Sequence, residues 1–396
     1  MKKKPIQKNS IPSTGAASRI YSRENVGRYS ERARQRRRGT MIRRIALCTI
    51  FGILIAGTAA AGMWIAHIAG KLNNKSIITS GLQSVLVDSD VAKEPFYTLL
   101  LGTDGRPGET TYRSDSIILV RCDPKKQVVT LISIPRDTKV TYKGTTMKLT
   151  ESHAFGGAEA VVSSVNDLLG IKISHYAEIS FDGMKKLVDS VGGIDIYVPE
   201  GDEVSDREAG PVDIKAGQQH MDGTAALTFC RARHQFIDGD YTRMRHQRMV
   251  MGALANTVLN KMDASKIPSL MESLSDMVVT DLSVQDIVSL VNAMRGMDTD
   301  KMYSCNLPSH ADESTYIDGK SYVFLYEDET KAMMKRVDAG EDPQGPNTQG
   351  RSTGTGATVG DLAKSNSDDW AATSQTTPST SDSSTSDSLS NTDSGQ

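Results

Sequence analysis

Apolar residues follow three rhythms along this chain. From Ile45 to Ala69 they are nearly continuous, and 25 residues pass without Asp, Glu, Lys or Arg. At about 1.5 Å per residue that run crosses a ~30 Å hydrocarbon layer. A cleaved signal peptide is the competing reading, and Ala59-Ala60-Ala61 resembles a cleavage site. Signal peptides, however, use an apolar core of about 7–15 residues, so the length favours an uncleaved membrane helix. From about Glu94 to Arg336 short apolar runs alternate with helical patterns. They predict strands over Tyr97–Gly102, Ile117–Arg121, Val128–Ile134, Tyr176–Ile179 and Ile194–Val198. Helices are expected over Ala158–Leu169, stopped by Gly170, and over Phe181–Val191, stopped by Gly192-Gly193. Helix-like Ser265–Met277 and Ser283–Met294 and strand-like Met302–Leu307 complete the same domain. Alternating β and α periods predict an α/β domain whose central sheet is covered by helices on both faces. After Pro343 the third rhythm is almost wholly polar, and residues 371–396 hold 15 Ser/Thr in 26 positions. Such a segment buries too little apolar surface to offset its chain entropy and reads as a disordered tail.

Charge sharpens these divisions. The formal net charge is −2, but residues 1–44 carry 14 Lys/Arg against Glu24 and Glu31, while residues 341–396 carry eight acids and two bases. The expected organisation is therefore a basic cytoplasmic segment (1–44), a membrane helix (45–69), a linker (70–93), an extracytoplasmic domain (94–340) and an acidic tail (341–396). Basic residues flanking a membrane helix mark its cytoplasmic side and attract anionic headgroups. That topology explains the cluster without a nucleic-acid partner. Cys122, Cys230 and Cys305 lack paired metal-ligand spacing, so buried free thiols are expected, with one disulfide open as an alternative outside the cytoplasm.

The candidate chemistry sits at strand ends. Leu99-Leu100-Leu101-Gly102-Thr103-Asp104 delivers a carboxylate to the sheet edge, and Arg113-Ser114-Asp115-Ser116 leads into the next strand. Two isolated Asp residues are ordinarily turn or cap residues; two at neighbouring strand ends also match the one or two carboxylates by which Mg²⁺ is usually held. Arginines change the balance. Pro135 ends a strand before Arg136, and Leu227–Arg233 reads as a strand with Arg231 and Arg233 on one face. Arg243 and Gln247, four apart in the next expected helix, share a face, with Arg245 and Arg248 off it as surface charge. Guanidinium forks gathered in an acidic domain fit phosphate oxygens, so the constellation points to a di-anionic or pyrophosphate ligand bridged to Mg²⁺. No G-x-x-x-x-G-K-[ST], G-x-G-x-x-G after a strand, G-x-S-x-G or H-E-x-x-H occurs, which argues against nucleotide, serine-hydrolase and zinc-protease chemistry.

Taken in order, Leu-Gly-Thr-Asp-Gly-Arg (101–106), Arg-Ser-Asp-Ser (113–116), Ile-Pro-Arg-Asp (134–137), His-Ala-Phe-Gly-Gly (153–157), Phe-Asp-Gly (181–183), Val-Gly-Gly-Ile-Asp (191–195), the Ala-Gly-Gln…Met-Asp-Gly…Ala-Leu run (216–227), Arg-Ala-Arg (231–233) and Asp-Tyr-Thr-Arg-Met-Arg-His-Gln (240–247) resemble the LytR-CpsA-Psr family. The resemblance implies a three-layer α-β-α domain with a central mixed sheet and an apolar cavity for a polyprenyl chain. It also implies transfer of an anionic glycopolymer, of teichoic acid or capsular type, from undecaprenyl pyrophosphate to peptidoglycan. By motif position Asp104 and Asp115 would hold Mg²⁺, and Arg136, Arg231, Arg233, Arg243 and Gln247, with Arg113, would clamp the pyrophosphate. Asp240 would serve as, or orient, a base. His246 stands where the family commonly has Arg, and Thr242 where Gly is usual. For the cavity, Val161, Val162, Val165, Leu168, Leu187 and Val188 fall at helical spacing, although a stripe of this kind is more often ordinary core. The alternative function is a polyprenyl-phosphate-binding regulator of the attenuator type, without turnover.

Overall fold

The computed structural model describes residues 58, 60–73, 77–103, 112–263, 266–311 and 316–344. The basic segment, residues 45–57 and 59 of the apolar run, Asp104 and the tail from 345 lie outside them. Among the described residues no helix is long and apolar enough to cross a membrane. The chain divides into two units, 1–66 and 67–396, and everything that follows belongs to the second.

A six-stranded mixed sheet forms its centre, in the order β10-β3-β2-β1-β6-β9. The strands are β1 (Phe96–Thr103), β2 (Ser114–Asp123), β3 (Val128–Ser133), β6 (His175–Ser180), β9 (Val278–Thr280) and β10 (Met302–Asn306). β1 pairs antiparallel with β2 and parallel with β6; β3 pairs antiparallel with β2 and parallel with β10. Because side chains alternate across a strand, each strand supplies two faces. Leu99, Leu101, Ile117, Leu119 and Ile132 enter one core, packed with α1 (Ser80–Val85), α2 (Leu149–Leu169) and α8 (Glu327–Ala339). Phe96, Ile118, Cys122, Leu131 and Met302 enter another, against α5 (Asp240–Asn256) and α7 (Val284–Met294). The result is the expected α-β-α layering. A third core gathers α3 (Phe181–Ser190), α4 (Gly223–Arg231), α6 (Ile267–Met277) and the two-stranded sheet of β7 (Ile194–Val198) and β8 (Gly217–Met221) against α5.

Three expectations change. Leu227–Arg233 is not a strand: α4 runs from Gly223 to Arg231, its N-cap Asp222 accepting from Ala225 N at 2.8 Å, and only Ala232 is extended. Ala226, Phe229 and Cys230 are buried at helical spacing, and that face outweighs the two-residue spacing of the arginines. The stripe of Val161, Val162, Val165, Leu187 and Val188 is core, with Leu168 packed against it. Arg245 and Arg248 are not surface charge, for α5 is buried from Thr242 through Val250. Cys122, Cys230 and Cys305 are free and buried, and burial pushes each thiol up to about 12.

Every polar side chain of α5 must find a partner. Arg248, fully buried, donates to Ser304 Oγ at 2.8 Å and Ser133 Oγ at 2.6 Å on neighbouring strands, and to Asn306 Oδ1. Burial pushes its guanidinium down to about 9, still cationic at neutral pH. Arg245 reaches Asp202, donating from Nε to Oδ2 at 3.2 Å. Burial raises the Asp202 carboxyl, but His246 and Arg245 outweigh it and hold the pKa below the ordinary 3.8. Asp202→Asn is expected to cost about 3–5 kcal/mol by leaving buried cationic charge without its counter-ion. A carboxylate with a depressed folded pKa stabilises above its unfolded value and loses that contribution as pH falls through the folded one. Urea denaturation should therefore show the gap between wild type and Asp202→Asn constant from pH ~7 to ~4 and closing below it.

Candidate active site

The site grows from a defect in the sheet. Gly102 pairs with Ser116 and Thr103 with Ser114, so Asp115 is the extra residue of a β-bulge at the ends of β1 and β2. A bulge leaves one residue out of the ladder and re-aims it. A Cβ on Gly102 would lie 2.9 Å from Ser116 Cβ, so the close approach requires glycine. Asp115, freed from the ladder, accepts from Arg136 Nη1 at Oδ1 (2.6 Å), and its carbonyl accepts from Arg243 Nη2 at 3.1 Å.

Arg136 is held from behind. Pro135 O accepts from Thr138 Oγ1 at 2.6 Å, and Arg136 O accepts from Thr150 N at the start of α2 at 2.9 Å. Asp240, the first residue of α5, follows Gly239, whose φ is +46°. Its Oδ1 lies 2.6 Å from Arg243 Nη2 and 3.8 Å from Arg136 Nε. Asp115, Arg136, Asp240 and Arg243 thus form one network. Burial lowers the Arg243 pKa, and the charges of Arg136 and Arg233 lower it further, with Asp240 and Asp115 opposing. Burial also acts to lower that of Arg136, but Asp240 and Asp115 raise it above the ordinary value. Three guanidiniums close enough to repel are balanced by two carboxylates, which leaves positive charge in excess.

This network opens on a cavity of about 1800 Å³ lined by Asp115, Arg136, Arg231, Arg233, Arg243 and Gln247. Arg231, at the end of α4, stacks on Phe181, its Cζ 5.6 Å from the ring centroid. Gln247 gives Nε2 to Cys230 O at 3.4 Å, and its buried Oε1 has no hydrogen-bond partner. Arg113 is exposed and does not line the cavity, and Asp240 stands behind the arginines. The lining also includes the apolar Ile77, Phe155, Met277 and Val279, together with Gly156-Gly157, where the backbone of α2 breaks. Sequence reasoning missed Glu178, which lines the cavity with Thr103, Tyr112 and His153. The available signal was an acid two residues after Tyr176, on the same face of a buried strand.

Fold and site together define a member of the LytR-CpsA-Psr family: the LytR_cpsA_psr family model matches residues 66–339, and the chain belongs to it. A relative from Bacillus subtilis (strain 168), the polyisoprenyl-teichoic acid–peptidoglycan teichoic acid transferase TagV, is 34% identical over 234 residues, 56% of this chain and 58% of that protein. Biofilm regulatory protein A of Streptococcus mutans serotype c is 30% identical over 260 residues, 62% of this chain and 63% of that protein. The chain thus spans about three fifths of the length of each of these two relatives. Among solved structures, TagT bound to LIIa-WTA superposes with a TM-score of 0.55 at 25% identity, covering 64% of this chain and 93% of that one.

If Asp240 occupies the arginines as an anion would, Asp240→Asn binds inorganic pyrophosphate at least about tenfold more tightly without metal, and Arg136→Ala binds it more weakly. Isothermal titration calorimetry checks both, and unchanged or weaker binding by Asp240→Asn would show that the carboxylate does not compete.

Proposed function

We propose that this chain is a membrane-anchored transferase that moves an anionic glycopolymer from polyprenyl pyrophosphate to a peptidoglycan hydroxyl. The observation that carries the reading is the repulsive grouping of Arg136, Arg233 and Arg243 around Asp115 and Asp240 at a cavity edge. Such a grouping stores affinity for a compact polyanion. The apolar lining residues Ile77, Phe155, Met277 and Val279 suit the first isoprene units of a carrier, and the names of the transferase relatives agree with that substrate class.

The residues act by position and charge. The acceptor hydroxyl oxygen forms a bond to the phosphorus nearest the glycan, the bond from that phosphorus to the bridging oxygen breaks, and polyprenyl phosphate leaves with the hydroxyl proton on its phosphate. Negative charge spreads over the phosphoryl oxygens, where Arg136 and Arg243 neutralise it. Arg231 at the end of α4 and Arg233 just past its C-cap hold the leaving phosphate. Gln247, with its amide nitrogen on Cys230 O, offers an acceptor for a substrate hydroxyl. Asp240, ion-paired to two arginines, spaces them. The Asp115 carboxylate, 23% exposed at the cavity, is a hard oxygen donor of the kind Mg²⁺ takes, so the donor chemistry fits that ion, with Asp104 as second ligand. Bound there, Mg²⁺ would supply charge neutralisation of the pyrophosphate. The bond energy already resides in the substrate, so a site outside the cytoplasm needs no ATP.

The name of the Streptococcus mutans relative favours a second reading, a regulator that binds polyprenyl phosphate without turnover. Purified full chain given polyprenyl-pyrophosphate glycan, peptidoglycan and Mg²⁺ separates the two. Transfer is expected, with Asp115→Ala and Arg136→Ala each lowering kcat/KM by about a hundredfold or more. Binding of the lipid with neither transfer nor hydrolysis would sink the transferase and leave the regulator.

A further inference from the structure

The bulge that presents Asp115 has nothing in the ladder to fix it, since Asp115 is unpaired there by construction. What holds it lies on the adjacent strand. Glu178 of β6, with a side chain 6% exposed, faces the ends of both bulged strands. Its Oε1 accepts from Thr103 Oγ1, the last residue of β1, at 3.3 Å, and its Oε2 accepts from Tyr176 OH at 2.6 Å. Burial raises the pKa of the Tyr112 hydroxyl, two residues before β2, and the nearby charge of this carboxylate raises it further. His153, on α2, completes the grip: its Nδ1 lies 3.0 Å from Tyr112 O, its Nε2 lies 3.7 Å from Glu178 Oε2, and the two rings pack at 5.0 Å.

The chemistry of these contacts is specific. A carbonyl oxygen only accepts, so His153 Nδ1 carries the proton that Tyr112 O receives, and Nε2 attracts the carboxylate when it bears a proton too. Burial raises the Glu178 pKa, but His153 and Tyr176 outweigh it and hold the group below the ordinary value, as a carboxylate. One buried anion therefore ties β1 by Thr103 and faces the imidazole, which in turn ties the backbone and ring of Tyr112 at the entry to β2. None of these groups touches the Asp115–Arg136–Asp240–Arg243 network directly in the contacts above.

We propose that Glu178 and His153 are positioning residues, a clamp across the ends of β1 and β2 that sets the bulge and so the placement of the Asp115 carboxylate against Arg136. The proposal rests on the transferase reading for its kinetic consequence and on the fold alone for its structural one. A carboxylate displaced by a fraction of an ångström costs rate more than binding, because the arginines still hold the pyrophosphate.

The test uses the full chain and three variants, Glu178→Ala, Glu178→Gln and Tyr112→Phe, with two readouts. In hydrogen exchange without substrate or metal, amides of residues 112–116 should exchange at least about tenfold faster in Glu178→Ala than in wild type, with the rest of β1 and β3 unchanged. In transfer assays kcat should fall about ten- to a hundredfold, with KM for the lipid-linked substrate within about twofold. Glu178→Gln keeps an oxygen acceptor for Thr103 and Tyr176 and should recover most of kcat. Tyr112→Phe, which keeps the ring and carbonyl, should show a smaller loss and decides the matter if Glu178→Ala does not fold. Wild-type exchange and kcat in Glu178→Ala and Tyr112→Phe would overturn the clamp, as would equal losses in the Ala and Gln variants with faster exchange throughout the sheet. A wild-type chain that transfers nothing removes the transferase reading, while the exchange experiment still decides the clamp.

Discussion

Burying a charged helix is the constraint around which this domain is arranged. α5 carries Arg243, Arg245, His246 and Arg248 through the interior, and a buried cation is tolerated only with a partner supplied to it. Arg248 turns to hydroxyls and an amide of the sheet, Arg245 to Asp202, and His246 to the Phe229 carbonyl and the same Asp202. Arg243 alone turns to the cavity. The helix is thus fixed in rotation by three structural contacts, and the fourth direction is the functional one. Precision at the site follows from satisfaction elsewhere.

The same economy governs the carboxylates. Asp115 and Asp240 occupy the arginines in the free protein, so the cationic cluster persists in a domain of acidic composition without collapsing or repelling itself apart. A ligand with more charge and better geometry displaces those contacts. Net charge of the domain and charge of the site are therefore independent quantities, and the first gives no guide to the second.

Strongly periodic segments were legible in the sequence. β1, β3 and α2 beyond Gly157 begin or end within a residue or two of where alternation, 3.6 periodicity and glycine stops put them. Arg136, Arg231, Arg233, Arg243 and Gln247 do meet at one cavity. What failed is what depends on partners distant in sequence. Arg248 looked superficial because Ser133, Ser304 and Asn306 are far along the chain, and nothing local announces their convergence. Leu227–Arg233 was misread because two arginines at a spacing of two imitate a strand, while the buried face of Ala226, Phe229 and Cys230 holds a helix. Arg113 follows its motif in order yet faces solvent, since order along a chain does not fix which way a residue before a bulge points.

The bulge also separates the site from the scaffold in an unusual way. Two residues of β2 stand where one would complete the ladder, and the surplus one is Asp115. A chain shortened by that single residue would close a regular antiparallel pair, but it would leave Arg136 without the carboxylate at 2.6 Å and Arg243 without its carbonyl acceptor. The irregularity is therefore the point at which sheet geometry yields to the charge balance of the cavity edge, and the register of two strands is set by what two arginines require.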